Sequence, residues 1–290
     1  MNALGVTTSI LFDGAAYAMV LYVTAVGLSV TMGLLGIANL AHGAFAMAGG
    51  YVLVALMGRP GLPFASALLL ACLAVAIASV VLERLLYVRV YRAGELDQVV
   101  LSVGLIFVAT ATAQFLFGAL PVPVILPTAL RGQISVPGWQ SFPIYRVFLI
   151  LCGAGVFAAL WFGIERTLVG ARIRAAVDNR AMAEAIGVNT RQLFTIVFAL
   201  GSALAALGGA LGADVIAIAP GYPLEHLVYF LIVVSVGGLG SVQGPFLAAL
   251  LLGVGDTACR ILAPQFGAFF VYVALFLILL VRPSGLFGRA

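Results

Sequence analysis

Nine apolar runs dominate this chain of 290 residues: 10–35, 44–57, 64–82, 99–120, 144–164, 193–215, 224–236, 245–262 and 266–281. One membrane pass needs about 20 apolar residues, and most of these runs come close to that length with few or no charges. In hydrocarbon each peptide group must bond within its own segment or within a closed barrel. Barrel strands would be shorter and would alternate in polarity, whereas these runs are unbroken and rich in Ala, Leu and Gly. The pattern predicts an all-α fold, a polytopic membrane helix bundle with about eight or nine transmembrane segments, some of them broken or re-entrant. Only 8% of residues are charged, against roughly 25% in a soluble domain, so a soluble globule of normal surface is excluded. Residues 1–290 read as a single membrane domain.

All fourteen basic residues are arginine. The pI of about 9.2 reads as topology and not as nucleic-acid binding, because no aromatic residues interleave with the arginines as a base-stacking surface requires. Positive residues mark cytoplasmic loops. Placing Arg84, Arg89 and Arg92 inside puts loop 121–143 outside and insert 165–191 inside. The C-terminus then lies inside and the N-terminus outside, if every run crosses fully. Cys72, Cys152 and Cys259 are widely spaced in or near apolar runs and read as small buried side chains. The N-terminus lacks a basic start and a small-residue cleavage site, so its apolar stretch is expected to be a retained helix.

Two stretches break the apolar pattern with glycine and uncharged polar residues. The first, 33–43, carries Asn39 and His42. The second, 237–244, carries Gly240, Ser241 and Gln243, with Ser235 close by. Freed backbone in such breaks needs water or protein partners, and discontinuous helices of this kind surround solute paths. Each stretch also reads as a tight helix turn at the inner surface, and His42 as a helix cap or a packed histidine. Insert 165–191 is charged and amphipathic, with a short helix expected from about Ile173 to Ile186. Arg174 with Asp178 and Arg180 with Glu184 are spaced to pair on its surface. Met182 and Ile186 form a small apolar face, and Gly187 is a helix stop. Mixed charge and a small apolar face suit docking to a protein better than lying on lipid.

The sequence resembles a known family, the inner-membrane permease subunits of ATP-binding-cassette importers for branched-chain amino acids, specifically the shorter of the two paired permeases. The likeness spans nearly the whole chain. It rests on Gly36-Ile37-Ala38-Asn39-Leu40-Ala41-His42-Gly43, then on Arg166-Thr167, Gly170, Arg174-Ala175, Asn179, Ala183 and Gly187-Val188-Asn189. It returns in Gly237-Gly238-Leu239-Gly240-Ser241, Gly244-Pro245 and Arg282-Pro283-Ser284-Gly285-Leu286-Phe287-Gly288-Arg289. Family members often read Gly-Arg-Ala before the coupling helix, where this chain has Gly170-Ala171-Arg172.

The resemblance implies an importer for branched-chain or other neutral amino acids, with urea, short amides or another small metabolite as the alternative solutes. It implies a second permease subunit, two cytoplasmic ATPases, an external or periplasmic solute-binding protein, and a bacterial inner or plasma membrane. Insert 165–191 becomes the segment that receives motion from the ATPases, through Arg166, Gly170, Arg172, Arg174, Asn179, Met182, Glu184, Ile186 and Gly187. ATP and Mg would sit on the partner subunits and no cofactor on this chain, which has no phosphate-binding Gly-Lys-Ser/Thr loop and no lysine. His42 and His226 belong to no metal or nucleophile motif. A channel would need a polar arrangement repeated by symmetry. A proton- or sodium-driven carrier would place an acid deep in the membrane, whereas Asp13, Asp214 and Asp256 lie near the predicted ends of runs.

Overall fold

The computed structural model describes residues 3–36, 39–59, 61–91, 93–135, 141–283 and 285–287. Among the described residues six helices are long and apolar enough to cross a membrane, and three shorter apolar helices accompany them. The first two, α1 (Ala3–Leu35) and α2 (His42–Met57), precede α3 (Phe64–Leu82), which begins directly after Pro63. That helix does not end where the charges begin. A π-helical segment, Glu83–Tyr87, and the short α4 (Val88–Val90) carry it onward. The charged stretch that carries Arg84 and Arg89 is therefore helical as far as Val90, with Glu83 turned inward.

Next comes α5 (Glu95–Phe117), with Glu95 and Asp97 in its first turn and a stop at Gly118, φ 85°. Acids at that end complement the helix dipole, and glycine supplies the positive φ of the stop. Loop 118–143 holds a small hairpin, β1 (Gln133–Ser135) with β2 (Ser141–Pro143), in an otherwise helical fold. Then follow α6 (Ile144–Glu165), α7 (Leu168–Asp178), α8 (Arg180–Ala185), α9 (Thr190–Gly212), α10 (Tyr222–Gly237), α11 (Gln243–Leu262) and α12 (Gly267–Val281).

Small residues set the packing. Along α1, Gly27 meets Gly201, Thr24 meets Gly208, and Val20 meets Gly212, so α9 runs antiparallel to it. Gly33 meets Gly240, Ala18 meets Gly253, and Gly14 meets Val254, so α11 is antiparallel to α1 as well. Gly49 lies on the backbone of Ala206, and Gly209 on that of Ala46. Close backbone approach of this kind holds membrane helices together where the hydrophobic effect cannot. Outside this core, α3, α5, α6 and α12 expose large apolar side chains such as Leu69, Phe115, Leu151 and Phe276.

The interior crossing makes a direct prediction. A side chain at Gly209 would collide with the main chain of Ala46, whereas nothing lies within 4 Å of a Cβ at Gly104 on α5. Overpacking a tight core costs on the order of 1–3 kcal/mol or more. Gly209→Val should thus sharply reduce folded protein and thermal stability in detergent. Gly104→Val should change both little, and equal behaviour of the two variants would contradict the packing.

The two short helices α2 and α10 begin inside the bundle. His42 bonds the carbonyl of Thr24 on α1 at 2.8 Å. Thr24 lies eleven residues before the end of α1, roughly 16 Å at helical rise. Pro220, just ahead of α10, accepts a hydrogen bond from Thr110, well inside α5. Gly43 packs against the backbone of Pro223, so the two helix starts meet. From there α2 runs toward the turn at 58–63, and α10 runs toward the opposite, arginine-rich end. The order of long helix, half helix and full helix therefore occurs twice, as α1–α2–α3 and as α9–α10–α11, with reversed direction. Inverted arrangements of this kind are a recurrent way to build a transporter around a central site.

Candidate functional site

Where α2 starts, the chain carries buried polar groups that the apolar environment makes expensive to leave unbonded. Asn39 is 1% exposed. Its Oδ1 accepts from the N–H of Ala41 at 3.1 Å and from the hydroxyl of Tyr87 at 2.8 Å. Its Nδ2 has no hydrogen-bond partner among the described residues. The fully buried ring of His42 bonds the Thr24 carbonyl through Nε2. A carbonyl only accepts, so Nε2 carries the hydrogen and Nδ1 of the neutral ring is an acceptor, also without a partner among the described residues. Beside them, Tyr222 at the start of α10 is buried, its hydroxyl without a partner among the described residues, and stacks on His226 at 4.4 Å. Among the described residues, the meeting point of the half helices thus offers an unbonded donor and an unbonded acceptor beside α2, with a buried hydroxyl on α10.

An apolar cavity of about 500 Å³ adjoins the start of α2, between α2, α3 and α5, lined in part by Ala41, Ala44, Tyr51, Val75, Ala109 and Phe117. Stretch 237–244 is placed differently. It forms the turn between α10 and α11 at the arginine-rich end. Ser29 on α1 donates to the Ser241 carbonyl at 3.1 Å, and the Ser241 hydroxyl caps the N–H of Gly244 at 3.2 Å. Leu286 and Phe287 donate their N–H groups to the carbonyls of Val236 and Gly237. The terminal segment thereby caps the end of α10. Ser235 and Gly240 are exposed there, and Ser241 and Gln243 are half-buried. Ser29 and Gly33 serve this turn while Thr24 and Gly27 serve His42, so the two stretches occupy different depths along α1. Ile37, Ala38, Ser284, Gly288 and Arg289 of the family-like motifs lie outside the described residues.

Insert 165–191 is two helices and not the one expected from Ile173 to Ile186. Asn179 breaks them. Its backbone is extended (φ −153°, ψ 98°), and its Oδ1 accepts from the N–H of Met182 at 3.0 Å, capping α8. Asparagine competes with a helix in this way because its short side chain bonds nearby backbone. Thr167 caps α7 through the N–H of Gly170. Gly170 lies against the backbone of Ile164, leaving no room for a Cβ, and Arg174 donates to the same Ile164 carbonyl. Arg174 is thus tied to the end of α6. The side chains of Asp178 and Arg180 lie outside the described residues, and with them the expected pairs of Arg174 with Asp178 and of Arg180 with Glu184. Glu184 accepts from Thr190 at 2.5 Å, and Gly187 stops the insert at φ 88°. Arg166 lies 5.5 Å over the ring of Trp161, and Arg172 is exposed. Met182 and Ile186 point outward, 63% and 71% exposed.

Three residues that sequence reasoning passed over join these two regions. Glu83 is fully buried and accepts from Tyr91 at 2.7 Å and from Thr195 at 3.1 Å. Tyr87, one turn on, bonds Asn39 and packs its ring 4.9 Å from Phe198. The only signal was an acid abutting an apolar run. Of the membrane acids considered from sequence, Asp13 pairs with Arg146 and Asp256 with Arg260. Among the described residues no group of three or more His, Cys, Asp or Glu side chains is placed to hold a metal.

Comparison with known proteins gives a consistent picture. A family model described as branched-chain amino acid transport system / permease component matches residues 10–281. The chain is 28% identical to the high-affinity branched-chain amino acid transport system permease protein BraD of Pseudomonas aeruginosa, covering 95% of this chain and 92% of that protein. It is 27% identical, over the same shares, to the permease proteins LivH of Salmonella typhimurium and of Escherichia coli, which carry the same description. No solved structure matches.

Proposed function

The chain belongs to the branched-chain amino acid transport system permease family, and from that premise we propose that it is the membrane-spanning subunit of an ATP-driven importer for branched-chain or other neutral amino acids. The carrying observation is the family match over residues 10–281. It is a multi-pass membrane protein whose part is passage and not chemistry. ATP and Mg are held by two partner ATPases, a related second permease completes the pathway, and an external binding protein delivers the solute.

In this reading α7 and α8 form the coupling insert. Gly170 and Arg174 fasten it to α6, Asn179 and Gly187 shape it, and Met182 and Ile186 enter an ATPase groove. Arg166, Arg172 and Glu184 flank that contact. The solute passes beside the mid-bundle starts of α2 and α10, where Asn39 and His42 offer a donor and an acceptor. Ser235, Gly240, Ser241 and Gln243 lie at the inner mouth. Uncharged groups of this kind hold a zwitterion weakly, which suits onward release and leaves selectivity to the binding protein.

The arginine-rich end, with insert 165–191 and residues 282–287, faces the cytoplasm. A cysteine placed at Met182 should be labelled by a membrane-impermeant thiol reagent only from inside. One placed at Gln133 should be labelled only from outside. The reverse pattern would overturn the orientation and with it the ATPase contact.

A further inference from the structure

We propose that Glu83 is a positioning residue that transmits movement of insert 165–191 to the buried start of α2. The proposal rests on the reading of that insert as the ATPase contact. Glu83 is one of two buried acidic residues among those described, the other being Asp256. Asp256 is held by Arg260 on its own helix at 2.7 Å. Glu83 instead reaches across elements. Its Oε2 accepts from the hydroxyl of Thr195 on α9 and lies 3.5 Å from Nε of Arg84, and its Oε1 accepts from Tyr91. A bundle that wanted only packing here would have used an apolar side chain, because a buried ionisable group in a membrane protein is costly.

The bonds on either side of Glu83 form a continuous series. Insert helix α8 is tied to the start of α9 by Thr190 donating to Glu184 at 2.5 Å. Five residues on, the Thr195 hydroxyl lies 3.1 Å from Glu83 Oε2 and 3.1 Å from the Arg191 carbonyl, sharing its one hydrogen between them, and so joins α9 to Glu83. Glu83 opens the π-helical segment, and Tyr87 closes it. Tyr87 donates to Asn39 at 2.8 Å, and Asn39 in turn holds the N–H of Ala41, the cap of α2. Aromatic rings follow the same route, Tyr87 to Phe198 at 4.9 Å and Phe198 to Phe45 at 6.0 Å. π-helical turns occur mostly at functional positions, and a wider turn can yield to the regular helix with a shift in register. A displacement of α8 and the first turn of α9 therefore reaches Asn39 through this segment.

Spatial continuity alone does not demonstrate coupling, so the test must separate a relay from a structural staple. The full four-subunit transporter is placed in proteoliposomes, and leucine uptake and ATP hydrolysis are measured together. Glu83→Gln, Tyr87→Phe, Thr195→Val and Thr195→Ser are compared at equal incorporated protein. The relay predicts at least a fivefold loss of leucine moved per ATP hydrolysed for the first three, and near wild-type coupling for Thr195→Ser, which keeps the hydroxyl. Glu83→Gln combined with Thr195→Val should be no worse than the more severe single change. Reduced thermal stability with an unaltered ratio for both Glu83→Gln and Tyr87→Phe would overturn the proposal. So would equal losses for Thr195→Val and Thr195→Ser. A wild-type complex whose hydrolysis ignores leucine-loaded binding protein would instead reject the ATPase reading itself.

Discussion

Met182→Asp and Ile186→Asp, each in the complete transporter, should lower uptake at least tenfold while leaving the chain inserted in the membrane. Both residues are largely exposed, at 63% and 71%, so neither change empties a buried position. Met182 sits on α8, which Asn179 caps, and Ile186 sits at its end, just before the stop at Gly187. Their protrusion is therefore rigid. In an ATPase groove they would act as central apolar anchors, and losing such an anchor costs on the order of 2–4 kcal/mol. That is roughly a 30- to 1,000-fold loss of association, deepened by the burial of a carboxylate without a partner. Co-purification with the ATPases reads the contact, and uptake reads its consequence. Unchanged values of both, in both variants, would count against the docking face.

Asn39→Leu should abolish most transport for a different reason. The amide oxygen of Asn39 serves two donors, Tyr87 and Ala41, inside the bundle. Leucine is close in size but leaves both donors buried and unpaired, at about 1–3 kcal/mol each. The start of α2 then loses its anchor on the π-helical segment. Tyr87→Phe removes one donor together with its bond and is expected to be the milder change for folding. Membrane abundance must be measured beside uptake, since a folding defect mimics a pathway defect. Full uptake by Asn39→Leu at normal abundance would show that the start of α2 does not govern passage.

The large features were legible because membrane physics makes them so. Uncharged runs became helices, arginines gathered at one end, and Gly187 stopped the insert as its position suggested. The breaks at 33–43 were visible in Asn39 and His42, and α2 does begin inside the bundle. The second stretch takes the other form expected of it, a tight helix turn. Gly237 to Gly244 looked equally irregular, yet the second interior start is at Tyr222, after the turn around Pro220. A glycine-rich turn at the end of a bundle and one within it share the same composition, and only the neighbouring backbone tells them apart.

Glu83 was hidden for a related reason. Beside Arg84 and Arg89 it reads as the first charge of a loop, whereas helix continues to Val90 and turns this one side chain inward. The split of the insert at Asn179 was hidden because local helix patterning runs through it on both sides. A capping asparagine declares itself only through the hydrogen bond it makes.

In the proposed function this chain forms the membrane passage of an importer powered by partner ATPases. That role is tested most directly by reconstituting the chain with a second permease subunit and two ATPases in proteoliposomes. Leucine-loaded binding protein is supplied on the outer face and ATP on the ATPase face, and accumulation of labelled leucine is followed. Uphill accumulation that needs ATP, the binding protein and this subunit together is expected. Uptake of urea but not leucine under the same requirements would change the solute and keep the permease. Accumulation driven by a proton or sodium gradient with no ATP present would contradict the account.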